Sequence, residues 1–191
     1  VLDWQRRAAS QPWFGGSRCE CCVTNTALVS ALGTLIARKI EGHVLSSLSL
    51  LDLAAEAFES EPGIGAAVVA DLQAVLARDP ACGGYSQPLL YFKGFHAIQA
   101  YRIGHYYWTH NHEPLALYLQ SQISEVFAVD IHPGAQIGKG IMFDHATSVV
   151  IGATAVVEDD FSMLHEVTLG GTGRAGGDRH PKIGRGVMIG A

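Results

Sequence analysis

From Ile131 to the end of the chain, one class of residue returns every six positions. Ile131, Ile137 and Phe143 form one run, Ile151, Val157, Met163 and Leu169 a second, and Ile183 and Ile189 a third. Gly follows the aliphatic residue at Ile137, Ile151, Leu169, Ile183 and Ile189. A small or β-branched residue stands four places after several leads, at Ala135, Thr147, Ala155 and Val167. Neither the helical period of 3.6 nor the strand period of 2 gives this spacing. A six-residue repeat calls for a parallel β-helix in which each hexapeptide makes one short face of a triangular coil. The lead points inward and stacks on its equivalent in the next coil, and Gly permits tight corners. Three hexapeptides make a turn, so 131→149 and 151→169 are each read as one turn, with a two-residue slip at Val149-Val150. The repeat alone leaves the hand of the coil open.

Residues 171–182 interrupt the pattern. Their glycines and charges suit no coil face, so this segment is expected to loop out, as insertions in repeat folds do at binding surfaces. The repeat resumes at Ile183 and stops at Ala191. A solenoid ending mid-coil exposes its stacking surface, so further coils and a cap are expected to be missing from this chain.

The first half has another grammar. Leu28, Leu32, Leu35, Ile36 and Ile40 mark one buried helical face, and Ile64, Val68, Leu72, Val75 and Leu76 mark another. Asp79-Pro80 ends the second helix, because the ring disfavours helical geometry in the residue before it. A long helical segment is expected from Pro88 to about His110, with the aromatic stretch Tyr101–Trp108 as packing. Asn111-His112-Glu113-Pro114 then separates a last helix over roughly 114–127. The expected organisation is an irregular extension over 1–22, an all-α domain over 23–128 in five or six helices, and a β-helix over 129–191.

Composition removes several classes. Hydrophobic residues make up 48% and charged residues 16%, which excludes a disordered chain. A net charge of −5 gives no global attraction to nucleic acid or anionic membrane, so neither is expected as a partner. No apolar run is long enough for a transmembrane helix. Cys19, Cys21, Cys22 and Cys82 are no evenly spaced disulfide framework and read as reduced thiols. A Cys-x-Cys-Cys zinc site lacks an evident fourth ligand, so no metal is expected. Arg6, Arg7, Ser10, Ser17 and Arg18 give the start a transit-peptide flavour that Asp3 and Glu20 weaken, so a cytoplasmic location is expected, with the plastid as alternative.

Four motifs carry a resemblance. Asp130-Ile131-His132-Pro133-Gly134-Ala135, Asp144-His145-Ala146-Thr147, Val167-Thr168-Leu169-Gly170-Gly171-Thr172-Gly173 and Gly177-Asp178-Arg179-His180-Pro181-Lys182-Ile183 occur in order. With Asp79-Pro80-Ala81 and Tyr91-Phe92-Lys93-Gly94-Phe95-His96, the chain resembles serine O-acetyltransferase from about residue 25 onward. The resemblance implies an all-α N-terminal domain followed by a left-handed parallel β-helix. It also implies a homotrimer or a hexamer of two trimers, with active sites between neighbouring β-helices.

The implied reaction moves acetyl from acetyl-CoA to L-serine, giving O-acetyl-L-serine for cysteine biosynthesis, with acetyl-CoA as co-substrate and no cofactor. A serine hydroxyl attacks only when a base takes its proton. By the resemblance His145 is that base and Asp130 the carboxylate that orients it. Asp79 and Asp144 would accept hydrogen bonds from the substrate amino group, and Arg179 and His180 would hold its carboxylate. Gly171, Thr172 and Ala191 match positions along the acetyl-CoA groove. The family also pairs with O-acetylserine sulfhydrylase through a C-terminal tail, which this chain would need beyond residue 191.

Departures and alternatives remain. Ser148 stands where the family has Gly, and a corner needing positive φ would penalise it. Ala153 replaces a Glu, and Phe161 replaces a smaller aliphatic. His145 and His165 are 20 residues apart and should stack on adjacent coils, a zinc-site alternative of the γ-type carbonic anhydrase kind. Another acceptor on the same fold, or an inactive regulatory paralogue, are the others. His132 is read as a corner residue, His96, His105, His110 and His112 as structural or solvated, and Lys93 as solvated.

Overall fold

The structure, a computed structural model, describes residues 26–171, 173 and 176–191. The expectations for residues 1–22, the Cys19-Cys21-Cys22 cluster and Thr172 therefore lie outside the described residues. Among the described residues six helices precede the strands: α1 (Thr26–Ile40), α2 (Ser47–Ser60), α3 (Pro62–Arg78), α4 (Ser86–Tyr91), α5 (Lys93–Thr109) and α6 (Glu113–Phe127). Nine short strands follow: β1 (Val129–Ile131), β2 (Gln136–Ile137), β3 (Met142–Phe143), β4 (Val149–Ile151), β5 (Val156–Val157), β6 (Ser162–Met163), β7 (Thr168–Leu169), β8 (Lys182–Ile183) and β9 (Met188–Ile189).

Local chemistry sets the helix ends. Ser46 Oγ accepts from the Ser49 amide and caps α2. Pro62 occupies the first turn of α3, where a missing N–H costs nothing. The expected helix from Pro88 to His110 is in fact two, because Phe92 leaves helical geometry at φ −83°, ψ 109°. The break turns the start of α5 onto β3. A Cβ on Gly94 would lie 2.3 Å from the Phe143 carbonyl oxygen, so only Gly permits this approach. From there α5 runs buried on nearly every side, from Gly94 to Tyr107.

Parallel strands stack in three sheets, β1-β4-β7, β2-β5-β8 and β3-β6-β9. The leads fall in register: Ile131 on Ile151 on Leu169, Val157 between Ile137 and Ile183, and Met163 between Phe143 and Ile189. Ile131, Ile151, Val157, Phe161 and Met163 are fully buried, so the inward stacking is the core. The position of the slip needs correction. Val149 and Val150 pair regularly with Val129 and Asp130, so the first turn runs 131→151. The two extra residues are absorbed in the corner 144–148, where His145, Ala146 and Ser148 all have positive φ.

A buried ionic knot fastens the helices to the coils. Asp71 on α3 accepts from Arg102 Nη2 at 2.7 Å and from Gln99 Nε2 at 2.8 Å, both on α5. Its other oxygen accepts from the Ile141 amide at 2.8 Å, and Arg102 also donates to the Gly138 carbonyl at 2.7 Å. Burial of a charge is tolerated only with such complete pairing. Arg78 adds a second clasp, donating to Gly140 O at 2.9 Å and Ser162 Oγ at 3.1 Å.

Candidate active site

The widened corner places His145. The regular corner one coil on, Leu164 to Glu166, is two residues shorter. In the long version His145 takes φ 56°, and its side chain is 73% exposed. Beneath it Ala146 is fully buried. The corner is held from outside by Lys93, whose Nζ donates to Thr147 Oγ1 at 2.5 Å. Lys93, expected to be merely solvated, is thus tied to the segment that carries the imidazole.

A cleft of about 580 Å³ opens here, between α3, α4, the start of α5 and β3. Asp79, Asp144 and His145 line it together, with Lys93, Tyr91 and Gln87. Asp144 Oδ1 stands 3.7 Å from His145 Nε2. Asp79 also serves its helix end: Oδ1 accepts from the Ala81 amide at 2.8 Å. Its second oxygen takes no partner among the described residues, so one carboxylate fixes the turn and still presents an acceptor. Two acids beside an imidazole suit an ammonium-bearing acceptor whose hydroxyl must lose a proton.

The remaining expected residues stand elsewhere in the chain. Asp130 does not bond His145; its Oδ1 accepts from Gln120 Nε2 at 2.6 Å. Gln120, on α6, is a partner that the repeat pattern gave no reason to single out. His180 packs against the corner after β4, so closely that a Cβ on Gly152 would lie 1.9 Å from its ring. His180 Nδ1 lies 2.8 Å from Thr154 Oγ1 and accepts from the Thr154 amide at 3.2 Å. Thr154 Oγ1 also accepts from the Arg179 and His180 amides. Thr154 is thus the anchor of the extruded loop. A threonine after Gly152-Ala153 was a visible signal, but only the fold shows which segment it holds. Gly171 is a close-approach position, since a Cβ there would meet Arg179 Cγ at 2.9 Å. Ala191 is exposed.

His132 lies at its corner as expected, with Nδ1 accepting from the Gly134 amide at 3.0 Å. Burial holds its imidazole below the ordinary range; Asp130 pulls the other way and His180 adds to the lowering. The rings of His145 and His165, on adjacent coils, meet edge to face with centroids 6.0 Å apart. Among the described residues no group of three or more His, Cys, Asp or Glu is placed to hold a metal ion. No helix there is long and apolar enough to cross a membrane.

A helical unit clasped to a hexapeptide-repeat β-helix, with an exposed corner imidazole beside two carboxylates, defines the hexapeptide-repeat acyltransferase class. The family model described as serine acetyltransferase, N-terminal, matches residues 3–100. Serine acetyltransferase of Escherichia coli (strain K12) is 54% identical over 164 residues, covering 86% of this chain and 60% of that one. The structure of soybean serine acetyltransferase complexed with serine matches with a TM-score of 0.86 at 48% identity, over 100% of this chain and 78% of that one. Serine acetyltransferase from Brucella abortus strain S19, in complex with coenzyme A, matches with a TM-score of 0.84 at 46% identity, over 86% of this chain and 66% of that one. The chain belongs to the serine acetyltransferase family, and its β-helix is of the left-handed kind. It spans about 60% of the length of the E. coli relative.

Proposed function

We propose that this chain transfers the acetyl group of acetyl-CoA to the hydroxyl of L-serine, giving O-acetyl-L-serine. The observation that carries the reading is the cleft in which Asp79, Asp144 and His145 meet at the widened corner. Relatives solved with serine and with coenzyme A support both substrates. His145 takes the hydroxyl proton as the serine oxygen attacks the thioester carbon, and returns it to the departing thiolate. Asp79 and Asp144 accept from the ammonium group. Asp130, steadied by Gln120, is the carboxylate that orients the imidazole in this reading.

Arg179 and His180 hold the substrate carboxylate. They sit at a different corner from His145 in one chain, which supports a site completed by a neighbouring copy in a homotrimer or hexamer. Gly171, Thr172 and Ala191 flank the acetyl-CoA groove. We further propose 23–128 and 129–191 as the two domains, and the cytoplasm or plastid as the compartment, in line with the bacterial and plant relatives. The test is thiol release from acetyl-CoA by the intact protein with and without L-serine. His145→Ala is expected to lose about a hundredfold or more, the scale of a general base. Absence of serine-dependent release in the parent overturns the reading.

A further inference from the structure

We propose that Lys93 is a positioning residue for acetyl transfer: its hydrogen bond to Thr147 Oγ1 fixes the corner conformation from which His145 meets the acceptor hydroxyl. The inference rests on the acetyl-transfer reading above and deepens it.

The imidazole of His145 has little packing to aim it. Its side chain is 73% exposed, and Asp144 Oδ1 lies 3.7 Å from Nε2, beyond hydrogen-bond reach. Its direction is therefore set by the backbone of residues 144–148. That backbone is strained, with His145 at φ 56°, Ala146 at φ 58° and Ser148 at φ 62°. Side-chain-bearing residues keep such angles only where their surroundings over-determine them.

The surroundings grip the corner from two directions. Neighbouring coils hold its far end: the Ser148 amide donates to the Ala128 carbonyl at 2.8 Å, and the Thr147 carbonyl accepts from the Glu166 amide at 2.7 Å. The helical unit holds it through the first turn of α5. There Gly94 closes on Ala146, and Lys93 Nζ donates to Thr147 Oγ1 at 2.5 Å. Among the described residues this is the one side-chain hydrogen bond from a helix to the corner.

The ammonium is committed to that hydroxyl. Among the described residues it forms no ion pair with Asp79 or Asp144, which line the same cleft, so it leaves both acids to a ligand's ammonium. A charged donor on a neutral hydroxyl makes one of the stronger hydrogen bonds. A base must stand within hydrogen-bond reach of the proton it takes, and a misplacement of about 1 Å costs on the order of a hundredfold in rate. In this role Lys93 acts through Thr147 and not on the substrate.

The test uses Lys93→Met, which keeps the stem and loses the donor, and Thr147→Val, which keeps the shape and loses the acceptor. Thr147→Ser keeps the hydroxyl, and the Lys93→Met/Thr147→Val double variant loses both ends of one bond. All are assayed in the intact protein for serine-dependent thiol release, beside thermal unfolding. The expected result is a fall in kcat of about 10- to 100-fold in Lys93→Met and in Thr147→Val. Thr147→Ser should stay near the parental rate, and the double variant should be no slower than the slower single one. KM for L-serine should stay near the parental value in Lys93→Met and in the double variant. A folded Lys93→Met protein at parental kcat overturns the proposal alone. So does a slow Lys93→Met beside a Thr147→Val at parental kcat, which would assign Lys93 to direct substrate contact, and so does a double variant whose loss is the product of the two single losses. A parent without serine-dependent release overturns the reading and the proposal with it.

Discussion

Gly94 and the carbonyl of Phe143 stand too close for any side chain to fit between them. A Cβ on Gly94 would also lie 3.0 Å from Ala146 Cβ, inside the corner that carries His145. Because the nearest atom is backbone, the contact cannot be relieved by a rotamer change. Gly94→Ala must therefore push α5 away from β3 or displace the corner. The expected cost is about 1–3 kcal/mol, the scale of overpacking, and activity should fall more than stability alone explains. Urea unfolding together with turnover under folded conditions checks this.

Ser148 presents the opposite case. It is exposed and held at φ 62°, in the left-handed region that costs a side-chain-bearing residue about 1–2 kcal/mol. Ser148→Gly should relieve that strain and stabilise the fold by about 1 kcal/mol after the added freedom of the unfolded chain is counted, read as a higher urea midpoint. A lower midpoint would mean that the Ser side chain makes a stabilising contact in the assembled protein.

The β-helix was legible because its leads must all face one narrow axis, and a six-residue spacing has no other use. The exact corner of the slip was not legible. Val149-Val150 and the residues before them satisfy the repeat equally well on paper, and only pairing with Val129 and Asp130 decides. The break at Phe92 was hidden for a similar reason: it answers a demand from Phe143, some fifty residues away. Asp79, Asp144 and His145 could be assembled from motifs. Lys93, Gln120 and Thr154 could not, since each acts through a hydrogen bond to another segment.

Asp71, on α3, makes its bonds to α5 and a coil corner at full burial. Asp71→Ala leaves the Arg102 guanidinium buried beside an empty acceptor position. The expected loss is about 3–5 kcal/mol, the range for breaking one partner of a buried pair. Asp71→Asn should cost less, because the amide oxygen can still accept one of these bonds. Equal losses for the two variants would show that the charge, and not the acceptor geometry, carries the effect.

His96 sets an acid limit on folding. Its ring is fully buried, with Nε2 2.9 Å from the Leu89 carbonyl and Nδ1 unpartnered among the described residues. Burial pushes its pKa down from 6.5 to about 4, against a smaller raising effect of the Leu89 carbonyl, and Lys39 adds to the lowering. Between those values the unfolded chain takes up a proton that the folded chain refuses. Stability from this group is therefore complete above about pH 6.5 and declines as pH falls toward 4, with no further change below it. Unfolding free energy measured across that window should drop more steeply in the parent than in His96→Gln, whose amide can still donate to Leu89 but does not titrate. Parallel slopes for the two proteins would assign the acid sensitivity to other groups.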